Sequence, residues 1–251
     1  MESISILNYQ VFCDDHKKIQ FKKNCFIVNT LNAYSYVMAK KDAQFKAALQ
    51  NSDVLLPDGF PIVLAARWLA KKRIKKIAGA DMFYHLMAVA NEKKLKVFFL
   101  GSTNDTLNKI KEKITSKYPN VKAYVYSPPF KKQFTKDDNE TMVANINMAK
   151  PDILFIGMTA PKQEKWAYEN KSDISTNIIC SIGAVFDYFA ETNARPSELL
   201  VKLNLEWFAR LIKEPKRMWR RYLVYSPLFM KDLWIALFSR NFFKQNRQQL
   251  Q

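Results

Sequence analysis

The chain has 251 residues, 48% hydrophobic and 25% charged, which suits one large globular unit or a domain with an appendage and excludes a disordered protein. Its net charge of +17 points to anionic partners: nucleic acid, nucleotide phosphates or an acidic membrane face. Three scattered cysteines and two histidines exclude a disulfide framework and leave little material for a structural zinc site or for Ser-His-Asp or Cys-His catalysis.

The first residues, MESISILNYQ, lack the basic segment and apolar core of a signal peptide. CDDHKKIQFKKN reads as a hairpin. CFIVNT is the first buried strand, ending at Thr30, and helical spacing of apolar residues runs from Asn32 to Leu49. DVLLPD is the next strand, followed by helical patterns over 61–70 and 81–90. KVFFLG, a helix over 105–118, KAYVYS and a weaker helix over 137–149 come next. DILFIG then leads through Met158 to a helix opening at Pro161, and IICSIG is the last strand. Strands alternating with helices predict βαβ units: an α/β fold with a Rossmann-like, mostly parallel sheet flanked by helices. Cys13, Cys25 and Cys180 read as free thiols of a reducing cytosol, two of them packed in strands. His85 falls in an apolar helical stretch, where a packing role is expected.

After Asn193 strand signals stop. Residues 195–251 hold twelve Lys or Arg against four Asp or Glu, so the chain divides into an α/β catalytic domain, 1–194, and a helical basic C-terminal appendage, 195–251. The most lipid-like stretch, YLVYSPLFMKDLWIALF, is interrupted by Pro227, Lys231 and Asp232, so no spanning helix is expected. Its aromatics alternate with basic residues, the composition of an interfacial anchor. The other reading is a packed terminal helix or a subunit contact in a homo-oligomer.

The chain has only five glycines, and three of them, Gly101, Gly157 and Gly183, end apolar runs. Ligands of open parallel sheets collect at such carboxyl ends. Gly157 would let the backbone come close to a ligand. Pro161 suits the first turn of the next helix, whose free N–H groups favour a diphosphate. Asp58, at the end of LLPDG, would face the same crevice and take a proton from a hydroxyl nucleophile; a plain Asp-Gly turn is the alternative. No GxGxxG or GxxxxGK[ST] occurs, so a nucleotide is held without a glycine-rich cradle.

NTLNA, LLPDGFPIVLAAR, KIAGADMF, FFLGS, DILFIGMTAPKQEKW, SIGAVFDYFA, ARPS and LEWFARLIKEPKRMWRRYL, in this order, resemble the WecG/TagA/CpsF family of bacterial glycosyltransferases. The likeness runs from about Asn24 to about Tyr225. It implies a UDP-sugar donor, an undecaprenyl-diphosphate-linked sugar acceptor on the anionic inner leaflet of the cell membrane, and inversion at the anomeric carbon without a bound metal. It implies Asp58 as general base, with Thr30, Gln163, Arg210, Arg217 and Arg220 in the catalytic set. Asn32, Lys76, Gly101, Gly157, Pro161, Lys162, Gly183, Asp187 and Arg195 are then expected to bind substrate, Asp187 near the uracil. No cofactor and no nucleic-acid partner are implied.

The chain departs from the family pattern in places. Lys76 stands where the family has arginine, and Ser102, Ala184 and Glu191 replace glycines. Two rivals remain at this level. A basic RNA-binding module accounts for the charge but gives PDG and PKQE no task. An enzyme modifying the nucleotide sugar itself would share the donor site.

Overall fold

The six apolar runs become six strands: Val, Ile, Leu and Phe dominate the buried ones, and KAYVY, half-exposed, forms an edge. The computed structural model describes residues 1–19, 25–191 and 206–248. A hairpin of β1 (Ser3–Ile6) and β2 (Tyr9–Phe12) precedes β3 (Phe26–Leu31), β4 (Val54–Pro57), β5 (Lys96–Gly101), β6 (Lys122–Tyr126), β7 (Ile153–Gly157) and β8 (Ile178–Ser181). These six make one all-parallel sheet in the order β4-β3-β8-β7-β5-β6. The predicted Rossmann-like α/β class is observed.

Helices cover both faces of the sheet. On one face α4 (Gly79–Glu92), α5 (Asn104–Lys117) and α8 (Val185–Phe189) pack on Val28, Leu56, Phe99, Phe155 and Cys180. The rings of Phe83 and Phe155 there lie 5.0 Å apart. On the other face α6 (Lys136–Ala149) and α7 (Lys162–Asn170) pack on Ile27, Leu154, Ile156 and Ile179. Fully burying one such side chain contributes about 1.5–3 kcal/mol, and these two faces supply most of the core.

The expected helix over 32–49 is two helices, α1 (Ala33–Ala39) and α2 (Ala43–Gln50). Asn32 caps the first in a capping box with Ser35, and Asp42 caps the second by accepting from the Phe45 N–H. Two local caps ten residues apart outcompete a continuous apolar stripe. The hairpin expected at 13–24 reaches into residues 20–24, which lie outside the described residues, and its described part does not form one. The hairpin lies before it, and His16–Lys18 forms a 3₁₀ turn capped by Asp15. Of the cysteines only Cys180 lies in a strand. His85 packs edge-on against His16, with centroids 5.6 Å apart, and burial lowers its pKa.

The appendage is helical where described: α9 (Glu206–Lys213), α10 (Pro215–Trp219), a wide π-helical turn over Arg220–Tyr225, and α11 (Ser226–Gln248). The hairpin, α1, α2, α3 (Phe60–Leu69) and α11 share a third cluster, in which Phe229 and Leu233 of α11 are fully buried. Phe229 meets Tyr36 edge-on at 5.2 Å, and Lys40 pairs with Asp232 at 2.6 Å. No described helix is long and apolar enough to cross a membrane.

Candidate active site

All six parallel strands end at one cleft, with a cavity volume of about 930 Å³. Thr30 follows from β3, Asp58 from β4, Gly101 from β5, Gly157 from β7 and Ser181 from β8; the loop after β6 supplies Phe130 and Lys132. This is the carboxyl edge where such sheets bind ligands. Of the expected residues, Thr30, Asn32, Asp58, Lys76, Gly101, Gly157, Lys162, Gln163, Gly183 and Asp187 all line it.

Asp58 is placed by its neighbour strand. Leu31 pairs with Pro57 in the sheet register, and the Asp58 N–H donates to the Leu31 carbonyl at 2.9 Å. The Asn32 side chain spans this gap. Its Oδ1 caps α1, and its Nδ2 donates to Asp58 Oδ2 at 3.5 Å. Asp58 is half-buried, so its carboxylate is held but reachable.

Gly101 and Gly157 are register partners on β5 and β7. A Cβ on Gly157 would stand 2.3 Å from the Phe186 ring, and one on Gly101, where φ is +121°, 2.5 Å from the Gly157 carbonyl oxygen. The Gly157 requirement is therefore steric: the ring of α8 lies directly on the backbone at the cleft floor. Gly157→Ala must displace Phe186 from the core. The expected cost is on the order of 3 kcal/mol, or about 6–12 °C in Tm, read by thermal unfolding. At Ser102 and Glu191, where the family pattern has glycines, the backbone keeps φ of +59° and +56°. Non-glycine residues carry that left-handed conformation at a cost of roughly 1–2 kcal/mol each.

The start of α7 differs from expectation. Pro161 occupies the capping position before the helix, follows a cis peptide bond, and does not line the cleft. The helix-start amides are partly used internally. The Lys162 N–H donates to Thr159, and Gln163 Oε1 accepts from the N–H groups of Met158 at 3.3 Å and Gly183 at 3.1 Å. Gln163 thus ties the β7 loop to the β8 loop. Its Nε2 donates to Glu164 Oε1 at 2.9 Å. Glu164 also lines the cleft, and burial pushes its carboxyl above the ordinary range. The Lys162 ammonium sits 3.5 Å from the centroid of Phe134 and donates to the Lys131 carbonyl. It pins the loop after β6, and desolvation lowers its pKa.

The arginines change most. Arg220 is exposed, lies over the Trp219 ring and is not part of the cleft lining. Arg221 lines the cleft instead, its guanidinium 5.0 Å from the Tyr34 ring centroid. Tyr222, Leu223 and Trp207 join it. Arg210 and Arg217 fall on α9 and α10, but their side chains are outside the described set, and Arg195 lies outside the described residues. Sequence reasoning missed Tyr34, Glu164, Trp207, Arg221 and the Phe130–Lys132 segment. Only the Arg220-Arg221 doublet carried a readable signal.

Among the described residues no three His, Cys, Asp or Glu side chains gather as a metal site would need. The cleft instead brings cations, Lys76, Lys132 and Arg221, to an edge that also carries Asp58 and Asp187. Such a site can take up an anionic leaving group while a carboxylate removes a proton from a nucleophile.

The glycosyl transferase WecG/TagA/CpsF family model matches residues 3–242. Similar proteins include the N-acetylglucosaminyldiphosphoundecaprenol N-acetyl-beta-D-mannosaminyltransferase of Bacillus subtilis, 33% identical over 78% of this chain and 75% of that protein. The enzyme of the same name from Bacillus spizizenii is 29% identical over 80% of this chain and 76% of its own length. That from Staphylococcus aureus strain MW2 is 28% identical over 84% of this chain and 80% of its own length. With six parallel strands delivering the PDG and PKQE segments to one cleft, the chain belongs to the WecG/TagA/CpsF family of glycosyl transferases.

Proposed function

We propose that the protein moves an N-acetylhexosamine from a UDP-sugar to a GlcNAc carried on undecaprenyl diphosphate, in the synthesis of a cell-envelope polysaccharide. The observation that carries this reading is the convergence of Asp58, Gln163 and Arg221 on one strand-end cleft. The relatives' names supply the acceptor and the class of sugar.

Asp58 takes the proton of an acceptor hydroxyl as its oxygen attacks the anomeric carbon. The bond from that carbon to the diphosphate breaks, and UDP leaves with the electron pair. The configuration inverts in this single displacement. Charge growing on the diphosphate meets Arg221, Lys76 and Lys132, so no metal is needed. Cations placed beforehand in a site that excludes water stabilise such charge without reorganising. Asp187, on the β8 side of the cleft, is assigned to the nucleoside.

A mass-spectrometric screen of UDP-sugars with a soluble GlcNAc-diphospho-lipid analogue, run with chelator, tests the reading. The expected product gains one N-acetylhexosamine. Transfer from none of the UDP-N-acetylhexosamines, together with salt-steep RNA binding and no UDP affinity, would replace it.

The same reading places the protein at the inner face of the membrane, with 195–251 as the closing and docking unit. Its support is the apolar surface the appendage leaves open: Phe208, Ile212, Leu228, Ile235 and Phe238 are exposed, next to a strongly basic sequence. Phe229 and Leu233 pack the opposite side of α11 into the domain, so deleting the helix would confuse docking with unfolding. Changing Leu228, Ile235 and Phe238 together to glutamate avoids that problem. The triple variant should keep its Tm within about 3 °C and lose tenfold or more in partition to anionic vesicles. Unchanged partition in a flotation assay would leave this surface without a membrane role.

A further inference from the structure

Two polar atoms of the cleft wall are buried and have no hydrogen-bond partner among the described residues: Glu164 Oε2 and Ser181 Oγ. Both residues are 2% exposed. Buried polar groups are normally satisfied, so two bare ones in a ligand cleft mark places that a polar ligand completes. The glutamate says more, because its neighbours fix where its proton sits.

Gln163 Oε1 accepts two backbone N–H groups. Its amide therefore cannot be reversed, and Nε2 must be the atom that faces Glu164. That N–H donates to Glu164 Oε1, so Oε1 is an acceptor and any carboxyl proton lies on Oε2. The bare oxygen is then either an unpaired buried anion or the hydroxyl of an acid. The anion is the more expensive state in this setting.

The groups that face this carboxyl are Arg221, from the π-helical turn, and Tyr34, from α1. Burial is the largest influence and raises the carboxyl; Gln163, the residue's own backbone N–H and Arg221 oppose it. The lysines of its own helix are engaged elsewhere: Lys165 with Asp42 at 3.0 Å, and Lys162 with Phe134 and the Lys131 carbonyl.

We propose that Glu164 works as a neutral carboxylic acid, holding the Gln163 amide through Oε1 and offering its Oε2 hydroxyl as a donor to an oxygen of the bound sugar or diphosphate. The ligand part rests on the transferase reading above. In that reading the neutral form has a clear advantage. A third carboxylate beside Asp58 and Asp187 would repel a diphosphate, whereas an acid adds a hydrogen bond. Gln163 and Glu164 then form a pair of uncharged donors in the cleft wall.

Two variants test this, one of them without turnover. A carboxyl whose pKa is raised on folding keeps its proton where the unfolded chain has lost it. Its contribution to stability is full in acid and is lost as pH rises through the raised value. Glutamine has the same shape and cannot ionise. Glu164→Gln should therefore melt with the wild type in acid and above it at neutral and alkaline pH. In transfer assays Glu164→Gln should stay within about threefold of wild type, while Glu164→Ala loses about tenfold or more in kcat/KM. The substrate whose KM rises in Glu164→Ala tells whether the oxygen belongs to the donor or the acceptor. A Glu164→Gln protein that melts below wild type at neutral pH, or is as impaired as Glu164→Ala, overturns the proposal. If the alanine variant does not fold, the melting comparison decides alone. Titration calorimetry of the wild type with UDP keeps the two readings apart. Absent UDP binding removes the donor-site reading, while the melting comparison still reports the proton.

Discussion

Replacing Asp58 with asparagine is expected to lower kcat by roughly 10²–10⁴-fold, the usual worth of a positioned general base, and to leave UDP affinity within about twofold. The two readouts separate because Asp58 stands at the end of β4, the edge strand, beside Leu31 and Asn32. Of the three cations assigned to the diphosphate, Lys132 and Arg221 come from the loop after β6 and from the appendage, and only Lys76 lies on the β4 side, where the Ile77 N–H donates to the Pro57 carbonyl. Asparagine keeps the shape and the hydrogen-bonding reach toward Asn32 but cannot accept a proton. Single-turnover transfer with calorimetric UDP binding checks both halves. Full turnover would remove Asp58 from the chemistry. A joint loss of binding and rate would make it a structural turn residue.

The second large effect is expected at Arg221. Arg221→Ala should reduce kcat/KM by about 10²–10³-fold, the range seen when one preorganised partner of developing charge is removed. Arg220→Ala should cost less than about threefold, because Arg220 lies over the Trp219 ring at the surface. Lysine at 221 should restore only part of the loss, since a point charge cannot reproduce the planar fork or its stacking on Tyr34. Steady-state kinetics of the three variants, each checked for an unchanged Tm, is the measurement. Equal losses at 220 and 221 would mean that both guanidiniums reach the ligand.

The arginine pair also shows where reading a sequence runs out. The EPKRMWRRYL segment displayed its basic residues plainly, and the family resemblance singled out Arg217 and Arg220 among them. The chain makes a π-helical turn over Arg220–Tyr225, which holds more residues per turn than an α-helix, and within it Arg221 and not Arg220 lines the cleft. No local pattern announces such a turn. The strands were legible for the opposite reason. KVFFLG needs no partner to be recognised, because a short apolar run closed by glycine has few other uses in a chain with five glycines. Gly157 itself was legible as a special position, yet its cause was not, since Phe186 arrives from 29 residues further along. Asp58 was found through its place at a strand end. Glu164 was passed over because burial of an acid is a property of the assembled wall: PKQE looks like any charged helix start until α7 closes over β8 and β3.

The strand order carries a consequence for how the enzyme comes into being. β8 is the last strand made, and it lies between β3, the first of the sheet, and β7. A growing chain that stops short of residue 178 therefore holds a two-strand piece and a three-strand piece with a gap down the middle, and the residues assigned to the reaction are split between them: Thr30 and Asp58 on one, Lys132 and Gln163 on the other. Insertion of the wedge joins contacts about 150 residues apart in sequence, which makes it a late event. The cleft that unites the two pieces is complete only once that wedge is seated and Arg221, which follows it in the chain, has been added to the lining.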